Sequence, residues 1–92
     1  MIRVINILEI QQEYIDCELN NGTKKRIALL PLLEKHSNFK GIEQFQNLQF
    51  LKNAKIGEFG EIYWKDAITT SSNEKWNYDI SPELINFNGV SI

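Results

Sequence analysis

Residues 14–29 read YIDCELNNGTKKRIAL and contain the clearest strand and turn signals of the chain. Before Asn20-Asn21-Gly22, apolar and charged residues alternate from Ile15 to Leu19 with a period of two, which is the pattern of a half-buried β-strand. Asn and Gly are typical of tight hairpin turns because both tolerate a left-handed backbone. The stretch therefore predicts a β-hairpin whose strands are Tyr14–Leu19 and Thr23–Leu29.

The length of the turn determines which residues face each other across this hairpin. A two-residue loop at Asn21-Gly22 would set Cys17 opposite Arg26 and mix apolar with cationic side chains on one face. A three-residue loop with a left-handed Gly22 gathers the apolar residues on one face and sets opposite charges together on the other. We predict the three-residue loop, which pairs Leu19 with Thr23, Cys17 with Lys25, Ile15 with Ile27, Glu18 with Lys24 and Asp16 with Arg26.

The chain before this hairpin predicts another strand. Its apolar residues fall on both parities, with Ile2, Val4, Leu8 and Ile10 on one and Ile5 and Ile7 on the other. Apolar residues on both faces indicate either a strand that is covered on both sides or a strand that carries a bulge. Gln11-Gln12-Glu13 then forms the turn into the hairpin.

Two short helices are predicted in the middle of the chain. The first begins at Leu30-Pro31, because proline fits the first helical turn, where its missing N–H costs nothing. Residues Ser37–Gly41 break it, and apolar residues at helical spacing in residues 42–48 predict the second helix. The end of the second helix is left open, since Phe50 and Leu51 also suit the next strand.

A second hairpin is predicted between residues 54–56 and residues 61–64. A three-residue turn at Glu58-Phe59-Gly60 would place four apolar residues on one face. Its cross-strand pairs would be Ile56 with Ile62 and Ala54 with Trp64.

The last part of the chain predicts a loop followed by a capped turn of helix. The run Thr69–Glu74 is too polar to bury and indicates a loop. Ser81 is a favourable N-cap, Pro82 suits the first helical position, and Asn88-Gly89 ends the helix. The predicted fold class is α+β, with a small antiparallel β-sheet of two hairpins plus an N-terminal strand and two or three short helices.

Bulk composition predicts one domain, residues 1–92, with 42% apolar and 24% charged residues, close to averages for globular proteins. A net charge of −2 argues against nucleic acid as a direct partner, because phosphate binding needs clustered cations. No apolar run approaches the roughly 20 residues that span a bilayer, which predicts no membrane contact. With one cysteine and no signal-like N-terminus, a cytoplasmic location is expected.

The order of several short motifs resembles a widespread family of small bacterial domains of unknown function. The matching features are the Asn21-Gly22 hairpin, Leu30–Leu33, Gly60 before Ile62 and Trp64, and the segment Asp79–Leu84. The resemblance implies a compact α+β fold with no established activity. Some members are fused to helix-turn-helix segments or encoded beside suspected toxin–antitoxin proteins. The family runs almost directly from the tryptophan strand to the aspartate-proline turn, whereas here Ala67–Tyr78 intervene and predict a longer loop.

Catalytic candidates are few, and we assign no catalytic, cofactor-binding or metal-binding residue. Cys17 alternates with apolar neighbours and is expected to be a core residue, since a reactive thiol needs nearby positive charge. His36 suits the end of a short helix, and no Cys/His spacing for zinc exists. The carboxylates include possible pairs but are expected to have structural roles: Glu58 with Glu61, Asp66, and Asp79 with Glu83.

Aromatic residues crowd the C-terminal third and suggest binding to a protein. Trp64 alternates with Ile62 and is most simply a core residue, whereas Trp76 lies beside the polar loop. Trp76 and Tyr78 are therefore the expected partner contacts, since Trp and Tyr are enriched at interfaces. The predicted function is a non-catalytic interaction or regulatory module with a protein partner or a homodimer. The alternatives are an antitoxin-like component and a small enzyme using Cys17, His36 or a carboxylate pair.

Overall fold

The predicted hairpin lies at the centre of the first of two antiparallel sheets. The computed structural model describes residues 1–92. Its elements in chain order are β1 (Val4–Ile10), β2 (Tyr14–Leu19), β3 (Lys24–Ala28), α1 (Leu30–Lys35), a 3-10 helix (Ile42–Gln46), α2 (Leu48–Leu51), β4 (Lys55–Ile56), β5 (Ile62–Thr69), β6 (Lys75–Ile80), α3 (Pro82–Asn88) and β7 (Val90–Ser91). The strand order is β1-β2-β3-β7 in the first sheet and β4-β5-β6 in the second. The predicted α+β class is confirmed, and the strands divide between two sheets rather than forming one.

The β2–β3 hairpin has the predicted register. Ile15 faces Ile27 and Cys17 faces Lys25. The Leu19 N–H donates to the carbonyl of Thr23 at 2.9 Å, and Gly22 takes the left-handed backbone with φ 87°. A three-residue loop therefore closes the hairpin, because only that length brings the apolar residues onto the inner face together.

The outer face of the same hairpin is less open to water than alternation alone predicts. Asp16 is only 7% exposed. Arg26 donates to both carboxylate oxygens of Asp16, from Nε at 2.8 Å and from Nη2 at 3.0 Å. The guanidinium also lies 3.8 Å from the ring centre of Tyr14. The two-point ion pair and the ring together cover the carboxylate.

Strand β1 carries bulges, which decides between the two alternatives left open by its sequence. Its register against β2 shifts between Val4 and Asn6 and again between Ile7 and Glu9. Ile5 and Leu8 are exposed in consequence. A bulge changes which face successive side chains point to, so the mixed parity of the sequence follows from the geometry.

The predicted second helix is divided into the 3-10 helix and α2. Helix α2 contains both Phe50 and Leu51, which excludes them from the next strand. It begins at Asn47, whose side chain accepts the N–H of Gln49 at 2.9 Å. Helix α3 begins as predicted, with Ser81 Oγ accepting the N–H of Leu84 at 3.1 Å.

The predicted long loop from Ala67 to Tyr78 is wrong. Strand β5 continues to Thr69, and β6 returns along it from Lys75, so a hairpin takes the place of the loop. Asp79 consequently lies within β6, opposite Tyr63, and not in a turn. In the first part of β5, Ile62 faces Ile56 of β4 as predicted, whereas the predicted pair of Ala54 with Trp64 is absent because β4 contains only Lys55 and Ile56.

A bulge in β5 makes this longer hairpin compatible with a buried face. Trp64 faces Tyr78 and Ile68 faces Trp76, so three residues of β5 stand opposite Asn77 alone. Within the bulge, Asp66 adopts φ 54° and donates its N–H to Asn77 Oδ1 at 3.0 Å. Aspartate and asparagine tolerate this backbone better than other residues do.

The core lies where the two sheets and the helices meet around Trp64. The indole N–H of Trp64 donates to the carbonyl of Leu51 at 3.0 Å, and its ring packs against Phe45 at 4.9 Å. Backbone pairing links the sheets where the N–H of Val4 donates to the carbonyl of Gly60 at 2.9 Å. None of the helices has the length and apolar character needed to cross a membrane.

Candidate binding site

An apolar groove lies between the end of the β5–β6 hairpin and the segment that follows α1. Two adjoining depressions of about 400 and 190 Å³ form it and share three side chains, Phe39, Ile68 and Trp76. We call this surface the Trp76 groove. Its remaining lining residues are Asn38, Lys40, Thr69, Thr70, Ser71, His36, Asn77, Tyr78 and Asp79.

Trp76 is exposed because of its place along β6. It shares the inward face of the strand with Tyr78 and Ile80, which are buried. Trp76 lies two residues closer to the turn, beyond the reach of the core, and stays 61% exposed, whereas Tyr78 is 6% exposed. The side chain thus points to the side of the sheet where the core lies without being covered by it.

The floor of the groove is a small cluster of aromatic and imidazole rings. His36 Nδ1 and the hydroxyl of Tyr78 are 2.9 Å apart and share a hydrogen bond. The ring of His36 stacks on Phe39 with centres 4.9 Å apart. Burial, and secondarily the charge of Asp79, raise the pKa of Tyr78, so its hydroxyl keeps its proton. Tyr78, an expected partner contact, is therefore buried beneath the groove, whereas Trp76 is exposed in it.

Gly41 fixes the wall formed by the segment after α1. It adopts φ 103°, and a side chain at this position would collide with the carbonyl of Ala67. Gln44 Nε2 donates to the carbonyls of both Gly41 and Ala67 at 3.1 Å. The adjacent Lys40 pairs with β5, since its carbonyl accepts the N–H of Thr69 at 2.9 Å. The wall is thereby attached directly to the sheet that carries Trp76.

The opposite wall is a polar turn held by its own hydrogen bonds. Thr70 and Glu74 close it, with the N–H of Thr70 donating to the carbonyl of Glu74 at 2.9 Å. The hydroxyl of Thr70 accepts the N–H of Glu74 at 3.0 Å. Lys75 Nζ donates to the hydroxyl of Thr69 at 2.8 Å. Both walls are thus built before any ligand binds.

Strand β6 also presents an unpaired edge. It is the outer strand of its sheet and pairs only with β5. The N–H of Thr69 points away from β6, to Lys40, which makes Thr69 and Lys75 a non-hydrogen-bonded pair. The backbone groups of Lys75 therefore face outward, and alternation directs those of Asn77 and Asp79 the same way.

The catalytic candidates lie apart from one another. Cys17 is fully buried, as expected of a core residue. Burial, and secondarily the charge of Asp16, raise the pKa of its thiol from 9.0 to about 11, so it is protonated at neutral pH. His36 is bonded to Tyr78, as described above. The protonated thiol of Cys17 is a poor nucleophile.

The carboxylates do not converge on one point. Glu61 accepts the N–H of Phe59 at 3.0 Å within the β4–β5 turn, while Glu58 is exposed in that turn. Asp66 belongs to the β5 bulge, and Glu83 lies in the first turn of α3. No group of three or more His, Cys, Asp or Glu side chains comes together as metal ligands do.

No protein-family model, no curated protein and no solved structure matches this chain. The resemblance to a bacterial family of unknown function stays a prediction.

Two features of the site were not predicted from the sequence. The bond between His36 and Tyr78 joins residues 42 positions apart, and nothing in the sequence pairs them. Strand β6, in contrast, left a readable signal, because Trp76, Tyr78 and Ile80 alternate with polar residues.

Proposed function

We propose that this domain is a protein-interaction module whose contact surface is the open edge of β6 together with the Trp76 groove. The observation that carries the proposal is the exposure of Trp76 on a six-residue strand whose outer edge is unpaired. An exposed tryptophan next to unpaired backbone groups offers two sources of affinity at once. The indole supplies apolar area, and the edge supplies main-chain hydrogen bonds.

The construction of the groove favours binding over a structural role for Trp76. Its walls are attached to β5 and closed by internal hydrogen bonds, so little conformational entropy is lost when a ligand binds. A side chain that served only the core would be covered by it, as Trp64 is. A cytoplasmic location belongs to the same proposal and rests on the sequence alone.

The alternative functions have weaker support. The enzyme hypothesis needs an activated nucleophile or a carboxylate pair, and the protonated Cys17 and the dispersed acids offer neither. An antitoxin-like role rests on the family resemblance and stays a prediction.

Capture of binding proteins from native lysate tests the proposal. Trp76→Ala removes the exposed indole, and Phe87→Ala is a matched control, since Phe87 is 86% exposed on α3 and does not line the groove. We expect the Trp76 variant to lose proteins that the wild-type chain retains, and the Phe87 variant to keep them. Equal retention by all three baits would contradict the proposal.

A further inference from the structure

Strand β6 has a sequence that can pair with itself. Its first five residues read KWNYD, with a cation at Lys75, an anion at Asp79 and Asn77 midway between them. In an antiparallel pair related by a two-fold axis through Asn77, Lys75 of each copy stands opposite Asp79 of the other. From this charge complementarity we infer that the surface of the proposed function binds a second copy of this chain, β6 to β6, in that register.

The backbone allows this register. Lys75, Asn77 and Asp79 are the residues whose N–H and C=O groups face outward, as established from the bond between Thr69 and Lys40. In the proposed register these same residues face each other, and each facing pair can exchange two hydrogen bonds. The two three-stranded sheets then become one continuous six-stranded sheet.

The side chains favour this register over two others that the backbone also allows. Moving the axis to Lys75 sets lysine against lysine, and moving it to Asp79 sets aspartate against aspartate. Both are unfavourable because like charges directly opposite each other repel. The axis at Asn77 also places Trp76 opposite Tyr78 of the second copy, on the face that carries the groove.

The other strand edges are less suited to self-pairing. Strands β4 and β7 have two residues each, and β1 is interrupted by bulges. Bulges and short edge strands are the features by which natural sheets avoid edge pairing. Strand β6 has six continuous residues and no bulge of its own. It is therefore the edge at which this chain can extend a sheet.

Charge reversal provides a specific test by sedimentation over a wide range of protein concentration. Lys75→Asp sets two aspartates against each other at both ends of the pair, and Asp79→Lys does the same with lysines. Each variant alone should dimerise at least about tenfold more weakly than wild type, since two attractive pairs become repulsive. Mixed together, the two variants should form a heterodimer in which every facing pair is again attractive. Lys65→Asp, an exposed lysine of β5, is the control and should dimerise like wild type.

The outcomes separate this inference from the proposed function. A wild-type chain that stays monomeric, or a dimer that is indifferent to both charge reversals, overturns the inference. Loss of captured proteins by the Trp76 variant would still support the proposed function in that case. Circular dichroism of each variant confirms that the fold is retained.

A cysteine at position 77 tests the axis by an independent route. Facing residues of a hydrogen-bonded antiparallel pair have Cα atoms about 5.5 Å apart, which a short bis-maleimide cross-linker spans, whereas a direct disulfide needs closer Cβ atoms. Asn77→Cys should therefore be cross-linked into a dimer by a short bis-maleimide, while Ser71→Cys in the turn should not. The native Cys17 is buried and cannot compete. No linkage through position 77 in a folded variant would contradict the register.

Discussion

The outer strands of the two sheets differ in length and regularity. In the first sheet, β1 is bulged twice and its N-terminal end donates to the carbonyl of Gly60, while β7 is only two residues long. In the second sheet the bulge lies in the inner strand β5, and the outer strand β6 is regular. Bulges and shortness protect an edge from pairing, so the second sheet is the one that leaves an edge free.

The same contrast holds for the tryptophans of the second sheet. Trp64 on β5 is buried and bonded to Leu51, whereas Trp76 on β6 is exposed beside the free edge. The neighbouring strands thus carry one residue for stability and one for contact. If this division is correct, stability and association respond to different substitutions.

Removal of the buried indole should destabilise the fold more than any other substitution considered. Trp64→Ala should lower the free energy of unfolding by about 3–5 kcal/mol, because it leaves a large cavity and removes the bond to Leu51. Trp76→Ala should lower it by less than about 1 kcal/mol, because the side chain is mostly exposed. Urea denaturation measures both. Comparable losses would show that Trp76 is a core residue, and the division would fail.

Substitution of two glycines with a left-handed backbone compares the stability cost at the groove wall with the cost in the first hairpin. Gly41→Ala should cost about 3 kcal/mol, because backbone strain adds to a collision with the carbonyl of Ala67. Gly22→Ala should cost about 1 kcal/mol, since its surroundings are open and only the strain applies. Thermal unfolding of the two variants gives the order. A Gly41 variant as stable as the Gly22 variant would mean that the wall is not held against β5.

The smallest effect is the loss of stability at high pH that Cys17, in the core of the first sheet, should cause. The folded chain holds the pKa of Cys17 at about 11 against 9.0 ordinarily, so the unfolded chain loses this proton first as the pH rises. Stability that is complete below pH 9 should therefore fall by about 1 kcal/mol by pH 10. Denaturation at pH 8 and pH 10, with Cys17→Ala as reference, measures the difference. The same slope in the variant would exclude Cys17 as its source.

The first sheet could be predicted from sequence in more detail than the second. Apolar and charged residues alternate from Ile15 to Leu19, and Gly22 marks the turn, so the register follows from placing apolar residues on one face and opposite charges together on the other. Propensity alone did not show that Asp16 is covered, since that depends on Arg26 lying over Tyr14.

The second sheet was harder because a bulge interrupts its pattern. Residues 65–67 shift the alternation of β5, and the polar turn that follows obscured the strand on its far side. A left-handed Asp66 has no unambiguous sequence signal, since aspartate is common in ordinary turns. The exposed position of Trp76 beside a polar turn was foreseeable, whereas the groove beneath it depends on contacts between distant segments.

Amide hydrogen exchange at low and high protein concentration reports residue by residue whether the edge of β6 pairs with a second copy. The outward amides of Lys75, Asn77 and Asp79 should exchange rapidly in dilute solution and become protected as concentration rises. The amide of Tyr78, which faces β5, should change little. Protection that appears instead on β1 or β7, with the three β6 amides still exchanging rapidly, would contradict the account.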